Sequence, residues 1–351
     1  MNDSTSHTDD IRSLAEQVQH NCDVCDAHHA QDYTLCVYLL KMREYFRWEH
    51  GYAFTDTLPS EALNSWIAER EDRWEQLEGN QYRSIQTTAA THLPFDESSI
   101  QRIASAHSTT YGAGLGSGGR AHFFLAETLA ESERDGASIR VVGKELARDL
   151  TAPPAMHRDG VIIVRMESLR RSLWELIQDW MWKRPPGAMA NLLSLHQYEA
   201  NPGTALDAIA QIQLEHVINH ELGERRAGLA LGEEWSSFIV SVAGTPHEML
   251  ARAVRDQLAD ALSTLPSIVE AHDWTGLHGH VASLGSVRNR LSPKLRTVYQ
   301  QCVRDNAMDA LVSMLPTAQD HWDRAAKKLL NTWRHGQLSE PLKVMDELAF
   351  A

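Results

Sequence analysis

Residues 204–228 read TALDAIAQIQLEHVINHELGERRAG, and their period decides the fold class. At 100° per residue, Leu206, Ala210, Leu214, Val217, Ile218 and Leu222 fill one face of an α-helix, the face expected to be buried. Asn201-Pro202-Gly203-Thr204 ends one helix and caps this one. A second stretch, Asp32–His50 (DYTLCVYLLKMREYFRWEH), repeats the period. It sets Leu35, Leu39, Met42 and Phe46 on one face, flanked by Tyr38 and Tyr45.

Working outward, helices are expected near 60–78, 96–108, 120–134, 166–183, 187–200, 233–242, 246–263, 293–314, 319–334 and 340–348. Thr245-Pro246-His247-Glu248 starts one of them with an N-cap, a proline at the first helical position and a capping-box glutamate. Strand signals are few. Ser138–Val142 (SIRVV) and Val161–Val164 (VIIV, after Asp159-Gly160) read as two strands able to pair. The expected class is mainly α: a multi-helix, bundle-like globular fold with a small β-ribbon. Residues 1–10 are expected to be a disordered tail and 11–351 a helical domain. A division near 151–160 (TAPPAMHRDG) and a single intertwined domain both remain open.

The 351 residues, 43% hydrophobic and 23% charged, are ordinary globular material with enough chain for a sizeable core. A net charge of −14 disfavours phosphate backbones and anionic lipid surfaces, so neither nucleic-acid nor membrane binding is expected. The pairs Arg170–Arg171, Arg225–Arg226 and Lys327–Lys328 lie in helical patterns and read as solvated faces. MNDSTSHTDDIRSL lacks the basic and apolar regions of a secretory signal, and no apolar run approaches the ~20 residues of a membrane span. Four cysteines are too few for a disulfide framework, so a cytoplasmic protein with reduced thiols is the expectation.

Function is sought in the same helix. Glu221 projects into its apolar face and Glu224 lies beside Val217 and Leu206, with His220 and His216 further round. An unpaired carboxylate in a core is strongly unfavourable; it must be protonated, paired with a cation or bound to a metal. His216, His220 and Glu224, spaced i, i+4, i+8, stack on successive turns as metal ligands, with Glu221 as ligand or general base. A structural reading pairs the same glutamates with Arg225, Arg226 or a distant arginine. Second-element ligands are sought in Glu49, on the apolar side of the 32–50 helix, and His122, between Leu125 and Leu129 of the expected 120–134 helix. His278-Gly279-His280, taken as a glycine-rich turn, is a lesser source.

HELGE (His220–Glu224) resembles the zinc-protease helix with the pattern HExxH. The resemblance implies His220 as a ligand and Glu221 as the base that activates water. It departs at Glu224, where that pattern has its second histidine. Separately, DYTLCVYLLKMREYFRWE resembles a group of uncharacterised bacterial proteins of similar length, which implies a family and no activity.

Two other motifs are set aside. Gly114, Gly116 and Gly119 in GAGLGSGGR (112–120) match G-x-G-x-x-G, but the expected helix before them leaves no strand to open a βαβ unit, so a hinge or lid is expected. Cys22 and Cys25, followed by His28, His29 and Cys36, lack the second half of a zinc knuckle. The leading expectation is a metal-dependent enzyme acting on a small molecule, using iron or manganese, as a non-haem iron oxidoreductase. A zinc-dependent hydrolase is the alternative. From another class comes a non-catalytic helical adaptor that binds a protein partner through Trp174, Trp180 and Trp182.

Overall fold

The computed structural model describes residues 3–87 and 90–351, with side chains throughout except at residues 3–9 and Ser117. The chain divides into two compact units, Met1–Trp174 and Glu175–Ala351. The division falls inside a helix, beyond the 151–160 stretch.

The N-terminal unit opens with α1 (Asp3–His29), α2 (Leu35–His50) and α3 (Ser60–Leu77). A short antiparallel pair follows, β1 (Ile85–Gln86) with β2 (Thr91–His92), then α4 (Glu97–Ser105). Next come β3 (Thr109–Leu115), β4 (Ala121–Arg134), β5 (Ala137–Arg148), β6 (Ala155–Arg158) and β7 (Val161–Arg165). These last five form one sheet in the order β3-β4-β5-β7-β6. All neighbours are antiparallel except β5 and β7, which run parallel with Ser138 opposite Val161. The two strands read from the sequence therefore do pair, within a sheet well beyond a ribbon. The protein is mainly helical with a substantial β component.

Three local expectations are corrected here. The tail expected at 1–10 is, from residue 3, the start of α1. Residues 120–134, expected as a helix, are largely β4. Their alanines, glutamates and leucines carry helix propensity, but Ala121–Ala126 is buried at every residue, as a strand covered on both faces requires. Phe123 and Leu125 pack with Leu14, Val18 and Cys22 of α1, while Phe124 and Ala126 meet Val142 and Ile163 on the other face. The glycine run, expected as a hinge or lid, lies in β3 and the tight turn into β4, where the Gly116 N–H meets the Arg120 carbonyl at 2.7 Å. Gly112 lies opposite Phe124 across the β3–β4 pair, and a Cβ there would enter the Phe124 ring.

In α2 the wheel misplaces the buried side. Met42, Tyr45 and Phe46 are buried, but Leu35 and Leu39 are exposed. Glu44 is buried between Arg43 and Arg47. Cys22 and Cys25 direct their thiols to the Phe123 and Ala121 carbonyls, packing as small core residues.

The C-terminal unit is helical among its described residues. α5 (Met166–Met181) spans the division and is followed by α6 (Ala188–Leu195), α7 (Pro202–Leu231), α8 (Glu233–Ser241) and α9 (Pro246–Ala259). A π-helical turn, Asp260–Thr264, leads into α10 (Leu265–Glu270). Then come α11 (Trp274–Ala282), α12 (Ser286–Leu291), α13 (Pro293–Asp305), α14 (Asp309–Arg334) and α15 (Pro341–Leu348). Phe238, Leu250, Val254, Leu258, Leu311 and Trp322 lie in its core. Burying a large apolar side chain of this kind contributes about 1.5–3 kcal/mol.

The π turn has a sequence cause. Pro266 has no N–H to give the Leu262 carbonyl in α-helical register. Arg226 of α7 supplies a donor to that carbonyl instead, at 3.2 Å. Among the described residues, no helix is long and apolar enough to cross a membrane.

Candidate functional site

Helix α7 does not end at Gly223; it runs on to Leu231. Gly223 is where α9 comes closest, and a Cβ at that position would strike the Ala259 carbonyl. Gly276 and Gly279 give α11 the same close approach, against His216 and Gln213. Three missing side chains thus bring the polar arc of α7 against α9, the π turn and α11.

The carboxylates that meet this arc are Asp256, on the last turn of α9, and Asp260, which opens the π turn. His220 Nδ1 lies 2.7 Å from Asp260 Oδ1, and its Nε2 lies 3.4 Å from Glu224 Oε1. Arg255 donates to Glu224 at 2.6 Å and to Asp256 at 3.3 Å. Asp260, almost fully buried, also accepts from Thr264 Oγ1 at 3.0 Å and from Arg288. One ligand atom each from His220, Glu224 and Asp256 lies within 4.8 Å of the other two, a spacing that could hold a metal ion.

The electrostatics divide these groups. Burial opposes ionisation of Asp260, yet Arg288, His280 and His220 hold its carboxyl below the usual range. Glu224 is likewise held down to about 2, against burial, by the His220 hydrogen bond and the Arg255 charge. Glu221 is pushed up to about 7 by burial and by Glu224, with Asp256 adding to the effect and His220 and Arg255 opposing it. Asp256 is pushed up to about 6, by burial and then Glu224. Burial would lower His220, but Asp260 and Glu224 raise it well above an ordinary histidine. His280 is pushed down to about 4, chiefly by burial, and is neutral near pH 7.

An ionised Asp260 only accepts, so His220 Nδ1 must carry the proton between them. Nε2 then points at Glu224. With a second proton the imidazole bridges two carboxylates. Without it, the Nε2 lone pair faces Glu224 and Asp256 as a ligand whose orientation Asp260 fixes.

Of the residues expected from the sequence, His220, Glu221 and Glu224 converge. His216 does not join them: its Nε2 bonds Asp273 Oδ2 at 2.8 Å, and Asp273 is fixed in turn by the Gly276 N–H. Glu49 and His122 belong to the N-terminal unit. Glu49 pairs with Arg70, and His122, on strand β4, lies 3.2 Å from Asp149. His278 and His280 sit in α11 rather than in a turn; His278 bonds Tyr299, and His280 Nε2 lies 3.8 Å from Asp260. Asp256, Asp260, Arg255 and Arg288 were missed. The available signal was the i, i+4 pair of aspartates at the end of an apolar-faced helix.

Two family models cover most of the chain. The N-terminal domain of DUF6866, a family of unknown function, matches residues 13–165, and the C-terminal domain of the same family matches 170–349. The chain belongs to the DUF6866 family. The resemblance of the 32–49 segment to an uncharacterised family therefore leads to a real membership. No curated protein and no solved structure matches the chain. In this DUF6866 protein the convergent cluster lies wholly within the C-terminal family domain, on α7, α9 and the π turn. Neither family description mentions the zinc-protease helix that HELGE resembles.

Proposed function

We propose that this DUF6866 protein is a metal-dependent enzyme whose C-terminal unit holds a divalent cation between His220, Glu224 and Asp256. The observation that carries the reading is the short Asp260–His220 bond, which aims the imidazole at two carboxylates in the arrangement common behind metal-ligating histidines. One nitrogen and two carboxylate donors suit manganese or iron ahead of zinc.

Bound there, the cation would supply Lewis acidity and lower the pKa of a coordinated water. Glu221, poised at about 7, would accept that proton, and Arg255 would keep Glu224 ionised. The base favours hydrolysis of a small-molecule substrate. The oxygen-rich donor set keeps non-haem iron oxidation as a second reading with the same ligands. The adaptor reading has less support: Trp174 is buried against Phe54, while Trp182 is exposed.

The test is metal content and metal titration of the full chain beside His220→Ala and Asp256→Asn. Near-stoichiometric manganese, iron or zinc, lost in both variants, supports the site. Equal and negligible metal in all three overturns it and leaves a structural ion network. Oxygen consumption by the metal-loaded protein, set against turnover of ester and amide substrates, then separates oxidation from hydrolysis.

A further inference from the structure

The N-terminal unit contains a cleft of about 770 Å³ between α1, the end of α3, the 83–87 segment and α4. That volume is typical of small-molecule sites. α1 holds the 83–87 segment beside it by two reciprocal side-chain clamps. Asn21 both donates to and accepts from the Arg83 backbone, at 2.9 and 2.7 Å, and Gln17 does the same with Gln86, at 3.0 and 2.7 Å. The clamps use up backbone groups and leave the Arg83 side chain over the cleft. Its guanidinium makes no hydrogen bond or ion pair among the described residues.

Two further groups meet it. Arg73 is anchored at one edge by the fully buried Asp23, at 2.5 Å, and keeps half its side chain exposed. His20 lines the same wall, and its Nε2 is shielded from solvent without a hydrogen-bond partner. The cleft also has acids: Glu16, one helical turn before His20, and Asp10 further along α1. Glu16 is engaged by Arg12 at 3.3 Å, and Asp10 lies ten residues before His20, roughly 15 Å along the helix. Asp23 thus offsets the Arg73 charge and Arg12 engages Glu16, which leaves the Arg83 guanidinium as the cation of this cleft with no ion-pair partner among the described residues, on a chain whose overall charge is −14.

We propose that this cleft binds a small phosphate-bearing molecule, its phosphoryl group held by Arg83, Arg73 and His20. Guanidinium forks match phosphate oxygens in pairs, and an imidazole N–H supplies a further donor. Ser13 and Ser84, which also line the cleft, offer hydroxyls to the rest of the ligand. The proposal does not depend on the metal reading of the C-terminal unit.

The unliganded imidazole is shifted toward its neutral form by burial and by the Arg83 charge. An anion at that spot reverses the shift, which gives a local readout. The full chain is titrated with inorganic phosphate at fixed ionic strength, following the His20 imidazole by NMR (assigned with His20→Gln) and the binding heat. Arg83→Gln is the diagnostic variant, because the guanidinium makes no hydrogen bond or ion pair among the described residues that its loss would break. Saturable phosphate binding that raises the His20 pKa, weakened about tenfold or more in Arg83→Gln, is expected, the size of one charge-assisted hydrogen bond. Succinate at the same ionic strength should bind more weakly. The proposal is overturned by a response that sodium chloride reproduces, by an unchanged Arg83→Gln, or by succinate binding as tightly as phosphate.

Discussion

Adding a divalent cation at pH 7 should displace protons, and the geometry sets how many. His220 is held protonated by Asp260 and Glu224, so it releases about one proton on becoming a ligand. Glu221, at about 7, is roughly half protonated and should lose most of that fraction beside a dication; Asp256, at about 6, adds roughly a tenth. The sum lies between one and two, about 1.6. The sign follows directly: protons compete with metal, so affinity rises with pH, by about ten- to a hundredfold per unit near neutrality. Calorimetry with manganese in two buffers of different ionisation enthalpy counts the protons, and repeating it at pH 6 and 8 gives the slope. Tight binding with no proton release and no pH dependence would refute the placement of the ion at His220.

The same groups govern stability without metal. Glu221 and Asp256 have folded values above their unfolded ones, and so does His220. Stability should therefore fall as pH rises from about 5 to 8, with about 3 kcal/mol at stake for Glu221 alone, and urea midpoints across that range check it. Glu224 and Asp260, held low, act in the opposite window; their contribution is present above about 4.5 and is lost on acidification toward 2. Asp260→Asn removes the carboxylate shared by His220 and Arg288, leaving buried donors uncompensated. A cost of about 3–5 kcal/mol in denaturant unfolding is expected, and a loss under 1 kcal/mol would mean the network is slack. Gly223→Ala forces α7 off the Ala259 carbonyl and should destabilise by about 1–3 kcal/mol, whereas Gly228→Ala, in open space on the same helix, should be neutral or gain up to about 1 kcal/mol.

Only part of this site was legible in the sequence. Helical period sufficed to place His220, Glu221 and Glu224 on one arc of α7, because the helix is long and its apolar stripe is unambiguous. The period could not tell that His216, one turn earlier, would be taken by Asp273, since that partner lies 57 residues along the chain on another element. The i, i+4 spacing of Asp256 and Asp260 was the one local sign of their role, and it is also common on the solvated face of an amphipathic helix. Their role depends on α9 lying close enough to α7, and the permission for that is Gly223, where a Cβ would strike the Ala259 carbonyl.

The same limit produced the β4 error. Ala121–Arg134 has the composition of a helix, and the strand state of its buried first half, Ala121–Ala126, is imposed by apolar groups contributed from α1 on one side and from β5 and β7 on the other. By itself, then, the amino-acid order determined a mainly helical chain, most helix positions in the second half, and the chemistry carried by one helix face, all consequences of interactions within a few turns of backbone. The tertiary structure alone decided which distant carboxylates meet that face, which histidine is diverted, and that a five-stranded sheet exists at all. Burial and close backbone approach join residues far apart along the chain, and no local periodicity records such meetings.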